Sequence, residues 1–286
     1  MRLKIEVLFK IDVWNSRFLL TEPLLDWTKA VITDQGLDRI GDSYWISGLH
    51  IGSGDQVFTE TSNGLSQYLK YSNRNTSDKT DVVKTDSSIV WTRDMEHKFK
   101  SEDLDGRSVN ELSLSWDEDP KTATALLNVG QGYSIGVDEE FVITCRVSVS
   151  EDLNDIEVGE VDFGASIHTY TIKPCFYKKF DNTYIGSPLT QKVGRVYSGE
   201  IPVDQAIEPV GSIDTNLAVF NSYTYETRSR TFSNFFTLSS PNAVTRTVTS
   251  HTFGIPSAFG VQFDPPIDKD FNRELTLNFK INWDRG

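Results

Sequence analysis

Leu3-Lys4-Ile5-Glu6-Val7-Leu8-Phe9-Lys10-Ile11-Asp12-Val13 stands near the start of the chain, and every odd position in it is apolar. Arg2, Lys4, Glu6, Lys10 and Asp12 fall in the even phase. Side chains of a strand alternate between two faces, so a period of two sets one face on a core and leaves the other in water. A helix would instead repeat its apolar residues every three or four positions. The run over residues 2–14 is more than twice as long as an ordinary strand, and at roughly 3.3 Å per residue it reaches about 43 Å.

The same alternation recurs twice. Between Phe141 and Val149 the odd positions are apolar while Thr144, Arg146 and Ser148 face away, and between Leu275 and Trp283 the outer positions are Thr276, Asn278, Lys280 and Asn282. Helical periodicity is confined to Thr33-Asp34-Gln35-Gly36-Leu37-Asp38-Arg39-Ile40, where Thr33 or Asp34 is suited to cap a short helix. Elsewhere short runs of Thr, Ser, Tyr, Phe and Val are punctuated by Gly, Asn and Asp, as in strands joined by turns. The expected fold is all-β: two β-sandwich-like domains with at most one short helix.

A shift of 134 residues carries Phe141–Val149 onto Leu275–Trp283 in the same phase. It also carries Ile51-Gly52-Ser53 onto Ile185-Gly186-Ser187, and Ser88 and Trp91 onto Ser222 and Tyr225. Phe9–Trp14 resembles Phe279–Trp283 about two such lengths away. These coincidences suggest a duplicated domain, with one unit over residues 1–152 and another over 160–286. The seam between them is the acidic stretch from Glu151 to Asp162, which holds no basic residue.

The sequence has 286 residues, 28 Lys and Arg against 41 Asp and Glu, and a formal net charge of −13. That balance opposes nucleic acid and anionic membranes as partners, because phosphate is bound through Lys and Arg. No apolar run reaches the 18 or so residues of a membrane-spanning helix, and the N-terminus lacks the pattern of a secretory signal, so synthesis in the cytoplasm is expected. Two cysteines, Cys145 and Cys175, fit reduced and buried thiols, and Cys145 lies in the apolar phase between Ile143 and Val147.

Catalytic chemistry finds no foothold. His50, His97, His168 and His251 form no paired metal spacing, and Gly52-Ser53-Gly54 lacks the Lys and Ser/Thr of a phosphate loop. Glu102-Asp103-Leu104-Asp105-Gly106 and Asp268-Lys269-Asp270-Phe271-Asn272 alternate oxygen ligands without completing a calcium loop, so a surface calcium site stays open and plain loops are the default. No nucleophile motif is present. The six tryptophans, Trp14, Trp27, Trp45, Trp91, Trp116 and Trp283, are candidates for stacking on sugar rings. Trp14 and Trp116 are the two whose positions allow exposure, while core or interface packing is the commoner use of such residues in a β-sandwich. No catalytic residue, cofactor-binding residue or metal ligand is expected, and the chain reads as a non-enzyme.

From Trp27 through Gln35-Gly36-Leu37-Asp38-Arg39-Ile40 to Ile51-Gly52-Ser53-Gly54, then Asn110-Glu111-Leu112-Ser113-Leu114 and the strand Glu140–Val149, the sequence resembles virion proteins of tailed bacteriophages. In that group a "nqGLdrI" turn, an "IGSG" strand end, an "nElgl" strand and a closing "e.l.vtyrv.v" strand follow in this order. The match covers residues 27–149. The long strand before it and the missing "GLdrI" element in the second half are departures, and both leave the position within a particle open. The resemblance implies a β-sandwich that assembles, located in the virion, as a tail subunit of sheath, tube, collar or fibre-attachment type. Its partners would be copies of itself and other tail proteins, and the resemblance supplies no catalytic residue. The alternative is a module that binds carbohydrate or a host receptor. The terminal strand over residues 2–14 is expected to complete a neighbouring subunit's sheet, or else to pair within its own chain.

Overall fold

A computed structural model describes residues 2–40, 45–164, 166–175, 195–203, 207, 209–214, 219–224, 229–236, 246–253, 259–269 and 275–286. In chain order the first elements are β1 (Arg2–Asn15), β2 (Leu20–Lys29), β3 (Val31–Ile32), helix α1 (Asp34–Arg39), β4 (Gly48–Gly52) and β5 (Tyr68–Ser72). Next come β6 (Ser77–Lys84), β7 (Ser88–Lys100), β8 (Val109–Ser115), β9 (Ala125–Tyr133) and β10 (Glu139–Asp152). The remaining strands are β11 (Glu157–Asp162), β12 (Ile167–Pro174), β13 (Arg195–Tyr197), β14 (Ser212–Asp214) and β15 (Val219–Thr224). They are followed by β16 (Ser229–Phe236), β17 (Arg246–Phe253), β18 (Phe259–Lys269) and β19 (Leu275–Arg285). The protein is all-β; α1 is six residues long, and Thr33 caps it by accepting from the Gly36 amide at 2.9 Å.

The alternating phase of β1 is its burial pattern. Leu3, Ile5, Val7, Phe9, Ile11 and Val13 are all buried, opposite the buried phase of β10, to which β1 pairs antiparallel from Leu3 to Asn15. The second edge of β1 is divided. Arg2–Ile5 run parallel to Asn282–Arg285 of β19, and Leu8–Asn15 pair with β2. This strand is therefore hydrogen-bonded on both sides within its own chain, and the expectation that it completes a neighbour's sheet is corrected. The two strands that share its second edge leave no long free ladder there.

Three sheets result. The first runs β15-β16-β19-β1-β10-β7-β6, with β2 also on β1; the second is β11-β12-β18-β17-β13-β14; the third is β3-β9-β8-β4-β5. One contiguous core draws on all three, from Phe9 and Trp91 through Leu49 and Leu112 to Val196, Phe259 and Trp283. The segments expected as separate domains, 1–152 and 160–286, thus share the first sheet through β1 and β19.

The two halves nevertheless repeat one set of pairings. In the first, β3 meets β9, β9 meets β8, β8 meets β4, β4 meets β5, β6 meets β7 and β7 meets β10, all antiparallel. In the second, β12 meets β18, β18 meets β17, β17 meets β13, β13 meets β14, β15 meets β16 and β16 meets β19, again antiparallel. Ala125 and Phe259, which open the equivalent strands β9 and β18, are 134 residues apart (259 − 125). Not every landmark keeps that spacing. Ser88 opens β7 whereas Ser222 lies in β15, the counterpart of β6, and residues 185–187 and 225 lie outside the described residues.

Candidate functional site

Three of the four histidines, His50, His97 and His168, make structural contacts. His50 is buried beside Tyr71 and Tyr68, with Nε2 3.0 Å from the Asp117 carbonyl oxygen, and burial lowers its pKa. His97 is buried on β7 with Nδ1 3.3 Å from the Ser72 hydroxyl, and desolvation lowers its pKa to about 4. His168 joins Ser166 and the Pro265 carbonyl at 2.5 Å each, so Nδ1 donates to the carbonyl. The side chain of His251 lies outside the described residues. Among the described residues no three His, Cys, Asp or Glu side chains converge to hold a metal. Asp103 is held by the Lys100 amide and by Lys70 at 3.1 Å, and Asp105 takes a left-handed backbone (φ 51°). Asp270 and Asn272 of the other acidic loop lie outside the described residues.

Cys145 and Cys175 are buried and form no disulfide, and burial pushes the Cys145 thiol far up. Trp14 and Trp116, the tryptophans whose sequence positions allowed exposure, are half-buried. Each lies under a cation: Lys98 sits 5.7 Å from the Trp14 ring centre and Arg39 5.7 Å from that of Trp116. Trp27 is likewise covered, by Arg146 at 4.3 Å. A sugar would have to displace these cations to stack on the covered faces.

The sequence motifs around α1, Gly52–Gly54 and Asn110–Leu114 are engaged in two places. Glu111 of β8 is fully buried, and its carboxylate accepts from the backbone amides of Gln56 (3.1 Å) and Ser66 (3.0 Å) and from the Ser66 hydroxyl (2.6 Å). It thereby pins the segment that follows Ile51-Gly52-Ser53-Gly54. A Cβ on Gly54 would lie 1.7 Å from the Ser66 hydroxyl and 2.6 Å from Glu111 Oε1, so the segment closes over the carboxylate only with glycine there. At the second place the C-terminal strand docks on α1. Trp283 Nε1 donates to the Leu37 carbonyl at 2.7 Å, while Arg285 reaches the Ile32 carbonyl at 2.8 Å, Asp34 at 2.6 Å and Glu60 at 3.3 Å.

A surface feature stands out beside these. The hairpin joining β1 to β2 exposes Phe18 (70%), Leu19 (79%) and Leu20 (51%), and Val137 (92%) stands in the adjacent loop. The tip is fastened rather than loose. Asn15 Oδ1 accepts the amides of Arg17 and Phe18 at 3.1 Å each, and Ser16 donates to the Asp138 carbonyl through both its amide (2.8 Å) and its hydroxyl (2.9 Å). Leu19 sits at φ 53°, a left-handed conformation that a bulky side chain adopts only under constraint. Beside it opens a cavity of about 450 Å³ lined by Ser16, Lys100, Glu102, Val137, Asp138 and Glu140. A rigid apolar point next to an acidic hollow suits the docking of another macromolecule with apolar and basic groups. The three consecutive apolar residues at 18–20 were the signal for this tip in the sequence. Glu111 was marked only as the acidic position of the Asn110–Leu114 motif, and Arg285 carried no mark at all.

Comparison with the profiles of known protein families, with curated proteins and with solved structures finds no match to this chain.

Proposed function

We propose that this chain is a structural subunit of a tailed-bacteriophage virion, a tail component of the sheath, tube, collar or fibre-attachment kind. It works by assembling with copies of itself and with other tail proteins, not by catalysis. The observation that carries this reading is the fastened hairpin tip, where Phe18, Leu19 and Leu20 stand exposed next to Val137 and Leu19 is held in a left-handed conformation. Burial of apolar surface drives association, at roughly 25 cal/mol per Å² of area hidden, so a rigid apolar point of this kind favours a partner. Two further features support it. The motifs that resemble virion proteins are engaged in holding the backbone together, at Glu111 and at Asp34 of α1, where Arg285 docks, rather than in holding a substrate. The covered faces of Trp14, Trp27 and Trp116 argue against a carbohydrate platform.

The test is light scattering and negative-stain microscopy of the purified chain, alone and mixed with tail proteins of a phage. Rings, tubes or defined oligomers are expected, weakened by Phe18→Ser combined with Leu20→Ser while circular dichroism stays unchanged. A chain that stays monomeric at every concentration and joins no tail protein overturns the reading.

A further inference from the structure

Strand β6 ends the first sheet and differs from its neighbours in that sheet. It pairs with β7 from Ser77 to Lys84, and its other edge meets no described strand. Asp78 through Lys84 are exposed without interruption, so neither face of the strand is covered. Val82 and Val83, on opposite faces, are 43% and 51% exposed. An uncovered edge of this kind presents a row of backbone donors and acceptors to any strand that approaches it.

Charges on an edge ordinarily deter such pairing. On β6 they are arranged differently, because Lys79 and Asp81 flank Thr80 symmetrically and share one face. The residue opposite Lys79 on β7 is Asp94, but Asp94 is already engaged by Arg146 through two contacts of 2.7 Å. Asp81 stands opposite Thr92, and among the described residues its Oδ1 accepts from the Val82 amide next to it, at 2.8 Å. Both charges are therefore placed to act outward, beyond the edge.

We infer that β6 pairs antiparallel with β6 of a second copy of this chain about a two-fold axis through Thr80, fusing two eight-stranded sheets into one. This deepens the assembly reading given above and rests on it. In that register Lys79 of each copy faces Asp81 of the other, twice, and the two Thr80 side chains face each other. A two-residue slip one way sets the two Asp81 carboxylates opposite each other, and a slip the other way does the same with the two Lys79 ammoniums. Like charges directly opposed destabilise a ladder, so the charge order selects both the orientation and the register.

Thr80→Cys provides the direct test, because Cys145 and Cys175 are both buried and leave the new thiol as the accessible one. Under mild oxidation at 0.15 M salt the variant is expected to form a covalent dimer at micromolar concentration. Lys79→Glu is expected to weaken dimerisation about tenfold, since two charge pairs become two repulsions, and adding Asp81→Lys is expected to restore it. If the wild-type chain assembles but Thr80→Cys does not cross-link and Lys79→Glu changes nothing, the β6 pairing is wrong while the assembly reading stands. If no assembly of any kind forms, both fall together.

Discussion

Glu111 and Glu151 are two carboxylic acids in one small β-protein, each at 2% exposure or less, and they are handled in opposite ways. Glu111 sits on β8 under the segment that follows Gly54 and accepts from three backbone amides, those of Gln56, Ser66 and Gln67, and from the Ser66 hydroxyl. Glu151 ends the apolar phase of β10, between Leu3 and Ile89 on the flanking strands, and neither of its oxygens has a hydrogen-bond partner. Burial, with the Asp155 carboxylate adding to it, holds the Glu151 pKa well above its ordinary value of 4.5. Burial alone therefore does not set the character of a carboxylate. What decides it is whether the surrounding backbone turns its amides inward.

The sharpest way to break this contrast is Glu111→Ala. It strands the amides of Gln56 and Ser66 beneath a closed segment, and with hydrogen bonds to a charged group contributing about 1.5–3 kcal/mol each, the expected loss is about 4 kcal/mol. Urea unfolding measures it, and a loss below about 1 kcal/mol would mean that the carboxylate is not the anchor. Glu111→Gln, which keeps one acceptor oxygen, should fall between the two.

A third buried group, His97, extends the comparison to the acid side. Its unfolded form takes a proton near pH 6.5, while the folded form resists until about 4. The unfolded chain thus binds more protons in that window, and stability falls as the pH drops from 6.5 towards 4. At about 1.4 kcal/mol per unit, this one group accounts for about 3 kcal/mol. His97→Gln should flatten that limb of the stability curve. An unchanged acid limb would place the sensitivity elsewhere.

Glu151 behaves in the opposite sense. Its folded form keeps a proton that the unfolded chain gives up above pH 4.5, so the native state binds more protons and stability falls as the pH rises from that point. Replacement by Met, similar in shape and without an unmet polar group, is expected to stabilise by about 1–3 kcal/mol at pH 8 and to remove that slope. Destabilisation by the same change would reveal an unseen partner for the carboxylate. The smallest effect concerns Cys145. With its thiol buried and its pKa pushed up, a thiol reagent should leave it unlabelled in the native protein and modify it only on unfolding.

Local sequence pattern was sufficient for β1, β10, a capped turn at Thr33 or Asp34 and the buried Cys145, because each depends on local geometry alone; the structure assigns the cap to Thr33. A strand exposes alternate side chains wherever it lies, and a cap is completed within three residues. The offset of 134 residues was legible for Phe141 and Leu275, in the equivalent strands β10 and β19, and it failed for Ser88 and Ser222, which fall in β7 and β15. The tertiary structure alone decided that β1 is enclosed by β10, β2 and β19, and so fastens the second half to the first rather than a neighbour. It alone decided that Glu111 has its amides and Glu151 has none, and that β6 stands uncovered. These outcomes depend on which distant segment arrives at an edge or over a side chain. Glu111 meets Ser66 across 45 positions and Arg285 meets Asp34 across 251. Alternation states which face a residue occupies, and it carries no information about what that face will meet.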